Sequence, residues 1–173
     1  MTLQLQLDLL LSIVVVVAAM TDLAIRKIPN KLLLAAACAV LALHLTSPVS
    51  TGLPSALGGA AIGFALFLPL YVARGMAAGD VKMMATVGLF LGPSETIHAC
   101  ILTWCMGGVM ALVIILYTRR WYAAYTNLRN RLLPLLLRLG PGTAPMQTSV
   151  GSMPYGLAIA LTTLWLLAQR YFP

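Results

Sequence analysis

Long apolar stretches follow one another along this chain, each closed by proline, glycine or asparagine, and this pattern constrains the fold more than any other feature. From Leu5 to Ile25 the only charged side chains are Asp8 and Asp22. A stretch of this length and polarity suits the hydrocarbon core of a bilayer, which takes about 20 apolar residues of helix. Charged residues make up only 9% of the 173 residues and apolar ones 61%. A soluble domain usually carries about 25% charged residues. The composition therefore excludes a water-soluble monomer, and it excludes disorder, which needs low hydrophobicity.

The breakers divide the chain into six predicted spans, an all-α polytopic membrane protein with one embedded domain over residues 1–173. Span 1 runs from Leu5 to Ile25. Pro29 and Asn30 break it, with Asn30 placed to cap span 2, Lys31 to Leu45. Span 3 is Ser55 to Ala73, where Gly58, Gly59 and Gly63 permit close helix packing. Span 4 is Asp80 to Leu91 and is short, about 18 Å of helix. Span 5 is Glu95 to Tyr117. A long connection, 118–152, leads to span 6, Met153 to Gln169. Within that connection the run Leu128 to Arg138 is apolar with basic punctuation, a pattern suited to anionic headgroups. Ahead of Asp8 there is no Lys or Arg, unlike the basic start of a cleaved signal peptide.

Orientation follows from the cations. Ten of the eleven Lys and Arg residues fall on one side of the six spans, and Arg170 alone falls on the other. The basic side is expected to be cytoplasmic, with both termini outside. The net charge of +7 is then topological rather than a sign of nucleic-acid binding. Cys38, Cys100 and Cys105 lack zinc or redox spacing and read as small core residues. His44 and His98 read as interfacial side chains. No ligand cluster calls for a metal, and no cofactor is implied.

Acids inside apolar spans are costly and need a reason. There are four: Asp8, Asp22, Asp80 and Glu95. Asp8 and Asp22 are about 21 Å apart on one helix, and a similar distance separates Asp80 from Glu95. Asp8 and Glu95 fall on the outer side, within reach of water. Asp22 and Asp80 fall together at the cytoplasmic ends of spans 1 and 4. Two close carboxylates share one proton, so one takes a proton from water while the other hydrogen-bonds the carbonyl under attack. A structural role is open to the same residues. Asp22 could pair with Arg26 one turn on, Asp80 could cap span 4, and Lys82 could balance its charge.

The run Asp22-Leu23-Ala24-Ile25-Arg26-Lys27-Ile28-Pro29-Asn30 resembles the first aspartate motif of prepilin peptidases. Gly75-Met76-Ala77-Ala78-Gly79-Asp80-Val81-Lys82 resembles their second motif, GxGD followed by Val-Lys, with Ala77 in place of its first glycine. Pro154-Tyr155-Gly156 resembles the segment that opens their last helix. The resemblance implies an aspartic endopeptidase of the inner bacterial membrane. Asp22 and Asp80 would be its catalytic pair, with Pro29, Asn30, Gly79, Lys82, Pro154, Tyr155 and Gly156 as supporting motif residues. The implied partner is a type IV prepilin with a basic leader and an apolar helix. Without a methyltransferase domain, the chain is similar to the short branch serving Flp/Tad pili. A non-catalytic assembly subunit of a pilus or secretion apparatus, and a proton-coupled transporter, are the rival classes. The sequence sets no oligomeric state.

Overall fold

The computed structural model describes residues 3–46, 52–73, 75–118, 126, 129 and 155–171. Six helices are described among them: α1, Leu3–Ile25; α2, Asn30–Thr46; α3, Gly52–Val72; α4, Ala78–Leu91; α5, Pro93–Thr118; and α6, Tyr155–Tyr171. Among the described residues there is no strand. Among the described residues, three helices are long and apolar enough to cross a membrane: Leu3–Ile25, Gly52–Val72 and the Pro93–Tyr117 part of α5. α2 and α6 have 17 residues each and α4 has 14.

The helix ends follow local chemistry. Arg26 closes α1 in the left-handed region, φ 51°, after its amide donates to the Asp22 carbonyl. Pro29 then starts α2, its carbonyl accepting from the amides of Leu32 and Leu33. Gly92 ends α4 at φ 76°, a conformation glycine adopts without steric cost. Pro93 follows at the first position of α5, where a missing N–H costs nothing.

The chain divides into two compact units, Met1–Met106 with Pro154–Pro173, and Gly107–Met153. In the first unit α4 is the central element. Val81, Met83, Met84, Thr86, Val87, Gly88, Leu89, Phe90 and Leu91 are all buried. α3 lies closest to it. A Cβ built on Gly59 would stand 2.1 Å from the Gly88 carbonyl oxygen, and one on Gly63 would stand 2.7 Å from that of Met84. The two backbones therefore touch, as in small-residue packing between membrane helices. Phe67 on α3 stacks on Trp104 of α5 with centroids 6.2 Å apart, and Thr103 hydrogen-bonds Thr162 of α6 at 2.8 Å. The outer faces are apolar: Ile13, Met20, Leu34, Phe64 and Trp165 are all exposed. So many large apolar side chains facing outward mark a lipid or partner surface. The second unit contains the end of α5, where Val109, Leu112, Val113 and Leu116 are exposed.

Cysteine expectations need correcting. Only Cys100 is buried; Cys38 and Cys105 are exposed on apolar helix faces. The predicted headgroup-facing segment, Leu128 to Arg138, and Arg74 and Pro154 lie outside the described residues, apart from Arg129.

Candidate active site

Asp80 takes its place from the start of α4. Ala77 precedes the helix in extended conformation, φ −83° and ψ 155°, and Asp80 is the third helical residue. Its Oδ2 accepts the Ala77 amide at 3.1 Å, the acidic half of a capping box. This corrects one expectation. Asp80 is not the cap residue itself, because the helix begins two residues earlier. Ala77 suffers nothing for not being glycine, since its φ is open to any residue.

Asp22 lies in the last turn of α1, where the helix dipole disfavours a carboxylate. The first turn of α6 answers this. The Gly156 amide donates to Asp22 Oδ2 at 2.9 Å, and the Leu157 amide also reaches the carboxylate. Arg26 attracts it electrostatically from one turn along. A Cβ on Gly156 would fall 2.7 Å from Asp22 Oδ2, so only glycine lets the carboxylate approach the helix end this closely.

The two aspartates are both buried, 7% and 5% exposed, and are near enough to repel one another. Tyr155 stands within the field of Asp80. The first turn of α6 thus holds Asp22 through its amides and lies within the field of Asp80 through Tyr155. The sequence pattern alone places the two acids at one end of the bundle. It does not foresee that backbone amides 134 residues away would hold one of them.

The supporting residues fall nearby with altered roles. Asn30 is in the first turn of α2, and its Oδ1 accepts from Lys82 Nζ at 3.2 Å. Lys82 thus ties α4 to α2 rather than balancing Asp80, and Asn30 is a tether rather than the cap expected of it. A Cβ on Gly79 would meet only the Ile28 side chain, at 3.5 Å, an ordinary contact.

The opposite end of the same unit holds the other two acids, and neither sits freely in water. Asp8, 4% exposed, accepts from Arg170 Nη1 at 2.6 Å, from the Tyr171 hydroxyl at 2.8 Å and from Gln4 at 3.1 Å. Glu95 pairs with the second terminal nitrogen of Arg170. The one clue in the sequence was that Arg170 is the lone cation assigned to that side, opposite its two acids. A cavity of about 350 Å³ opens at this end, bordered by His44, Ser55, Glu95 and Arg170 and distant from Asp22 and Asp80. His44 Nδ1 is buried there without a hydrogen-bond partner, whereas His98 is exposed. No metal-holding group of three His, Cys, Asp or Glu side chains occurs among the described residues.

The profile of the type IV leader peptidase family matches residues 9–112, more than half of the chain. No curated protein and no solved structure matches it significantly. The matched stretch contains both aspartates and all of α2, α3 and α4, while α6 with its amide donors lies beyond it. On this match the chain belongs to the type IV leader peptidase family.

Proposed function

We propose that this protein is an inner-membrane aspartic endopeptidase that removes the basic leader from type IV prepilins of the Flp/Tad-like class. All six helices cross the membrane, with both termini outside and the aspartate end toward the cytoplasm. Asp22 and Asp80 are the catalytic pair. One, ionised, takes a proton from water as that water attacks the scissile carbonyl. The other, protonated, hydrogen-bonds the carbonyl oxygen, and the proton taken from water goes on to the leaving amine. The pair acts as a unit, so neither role belongs to one residue alone. No cofactor enters this scheme. The leader's basic part lies in the cytoplasm and its apolar helix among the spans.

The observation that carries the reading is the convergence of two buried carboxylates from different helices at one end of the bundle, beside the amides of a third. Family membership supports a leader peptidase in general. Ten of eleven cations on the side assigned to the aspartates support the orientation. Gly79, Lys82, Pro29, Asn30, Tyr155 and Gly156 frame the pair, and Pro154 enters the reading as a sequence-motif residue alone. The test is co-expression with a prepilin. Wild type should release the leader, and Asp22→Asn and Asp80→Asn should accumulate in the membrane without releasing it. Cleavage by either variant would sink the two-aspartate mechanism. Periplasmic thiol labelling should reach a cysteine at position 50 and miss one at 127; the reverse pattern would overturn the orientation.

A further inference from the structure

Two ties join α1 to α6, and their spacing is the same on both helices. Asp22 accepts from the Gly156 amide at 2.9 Å, and Asp8 accepts from Arg170 at 2.6 Å. Fourteen residues separate Asp8 from Asp22, and fourteen separate Gly156 from Arg170. That is about 21 Å on each helix and nearly four turns, so both ties leave the same face of each helix. Two antiparallel helices joined twice at equal spacing have one register. A slip of one residue, about 1.5 Å, would break both ties together.

The Arg170 tie is built to hold position. Asp8 takes donors from Arg170, Tyr171 and Gln4, and Arg170 reaches on to Glu95 of α5. The Gly156 tie is the weaker partner, a single turn of backbone amides on one carboxylate. We infer that Arg170, with Asp8 and Glu95, is a positioning group for leader hydrolysis: it sets the register of α6 on α1 and thereby holds the Gly156 amide on Asp22. The inference rests on the proposed function in taking Asp22 as catalytic. It adds that the far end of the bundle controls the geometry of the reacting end through a rigid helix.

The test uses the full chain in detergent with a synthetic prepilin, comparing Arg170→Met, Arg170→Lys, Gly156→Ala and the Arg170→Met/Gly156→Ala double variant. Gly156→Ala pushes the Asp22 carboxylate aside and should lower kcat about 100-fold, as expected for a displacement near 1 Å. Arg170→Met should lower kcat about tenfold with KM unchanged, and Arg170→Lys should recover most of that. The double variant should be no slower than Gly156→Ala, because the register no longer matters once its target is displaced. Multiplicative losses in the double variant, or an Arg170→Met variant with lowered Tm but intact kcat, would overturn the inference. If Arg170→Met does not accumulate, Glu95→Gln loosens the same cluster more gently and is judged by the same criteria. Spin labels at the exposed positions Leu23 and Leu161 give a readout independent of cleavage. Wild type should show one narrow distance, and Arg170→Met a shifted or broadened one; an unchanged distribution would refute the register claim. Failure of wild type to cleave any prepilin would sink the peptidase reading, while the labels would still decide the register.

Discussion

The two ends of the first unit each gather two carboxylates from different helices and hold them by opposite means. At the arginine end a guanidinium and a phenol grip Asp8, and the same guanidinium reaches Glu95. At the aspartate end backbone amides hold Asp22 and Asp80, with Arg26 attracting Asp22 along its own helix. The difference matters for chemistry. A guanidinium carries a full charge and a fork of fixed donors, so it grips a carboxylate in one geometry. Amide donors orient a carboxyl group without supplying a full countercharge. The first arrangement makes a fastener, and the second suits the acid and base roles proposed for the two carboxyl groups.

The largest effect that could break this contrast is on turnover. Asp22→Asn or Asp80→Asn should reduce leader release by about 1,000-fold or more, within the range removed with a general acid or base. Asp8→Asn should stay within about tenfold of wild type, since it loosens a fastener rather than deleting a reacting group. Initial rates on one prepilin decide this, and equal losses at the two ends would erase the distinction. Stability should show the reverse order. Arg170→Met leaves a buried Asp8 without its cation and should cost about 3 kcal/mol in denaturant titration. Lys82→Met removes only the exposed tie to Asn30 and should cost less than about 1 kcal/mol.

Smaller effects test the entry to α4. Gly79→Ala meets only Ile28 at van der Waals distance. It should be neutral or stabilise by up to about 1 kcal/mol, because alanine is the better helix former. Ala77→Gly should destabilise by about 0.5 kcal/mol through the freer unfolded chain, since the native φ of −83° needs no glycine. Thermal melts of the two variants measure both, and a gain in activity for Ala77→Gly would show that the position wants glycine.

The helices were legible because their punctuation is local. Pro29, Gly92 and Pro93 stop and start segments wherever the rest of the chain goes, and the predicted spans differ from the helices by a few residues at the ends. That Asp22 and Asp80 share one end of the bundle was legible by elimination, since few acids exist and helix length keeps the others away. What stayed hidden was carried by long-range geometry. An amide donor has no side chain to betray it, so the hold of Gly156 on Asp22 left no mark in the sequence beyond the glycine itself. Asn30 and Asp80 carry strong local preferences for caps, but Asn30 tethers Lys82 and Asp80 sits inside the first turn. Arg170 read as a single charge on the quiet side because nothing local showed that Asp8 and Glu95 would converge on it.

The glycine contact between α3 and α4 has a consequence for the order of assembly. Where apolar solvent surrounds every helix, burial of apolar surface gives little drive for association, and close packing must supply it. Gly59 and Gly88 have no side-chain rotamers to freeze, so their contact forms without that entropic cost. Only the turn ahead of α4 lies between the two helices in the chain, so little loop entropy opposes their meeting. The α3–α4 hairpin is therefore expected to pair before α1, α2 and α6 close around it, and to be the last to separate in rising denaturant. Amide exchange along Met84 to Gly88 should then be the slowest in the protein.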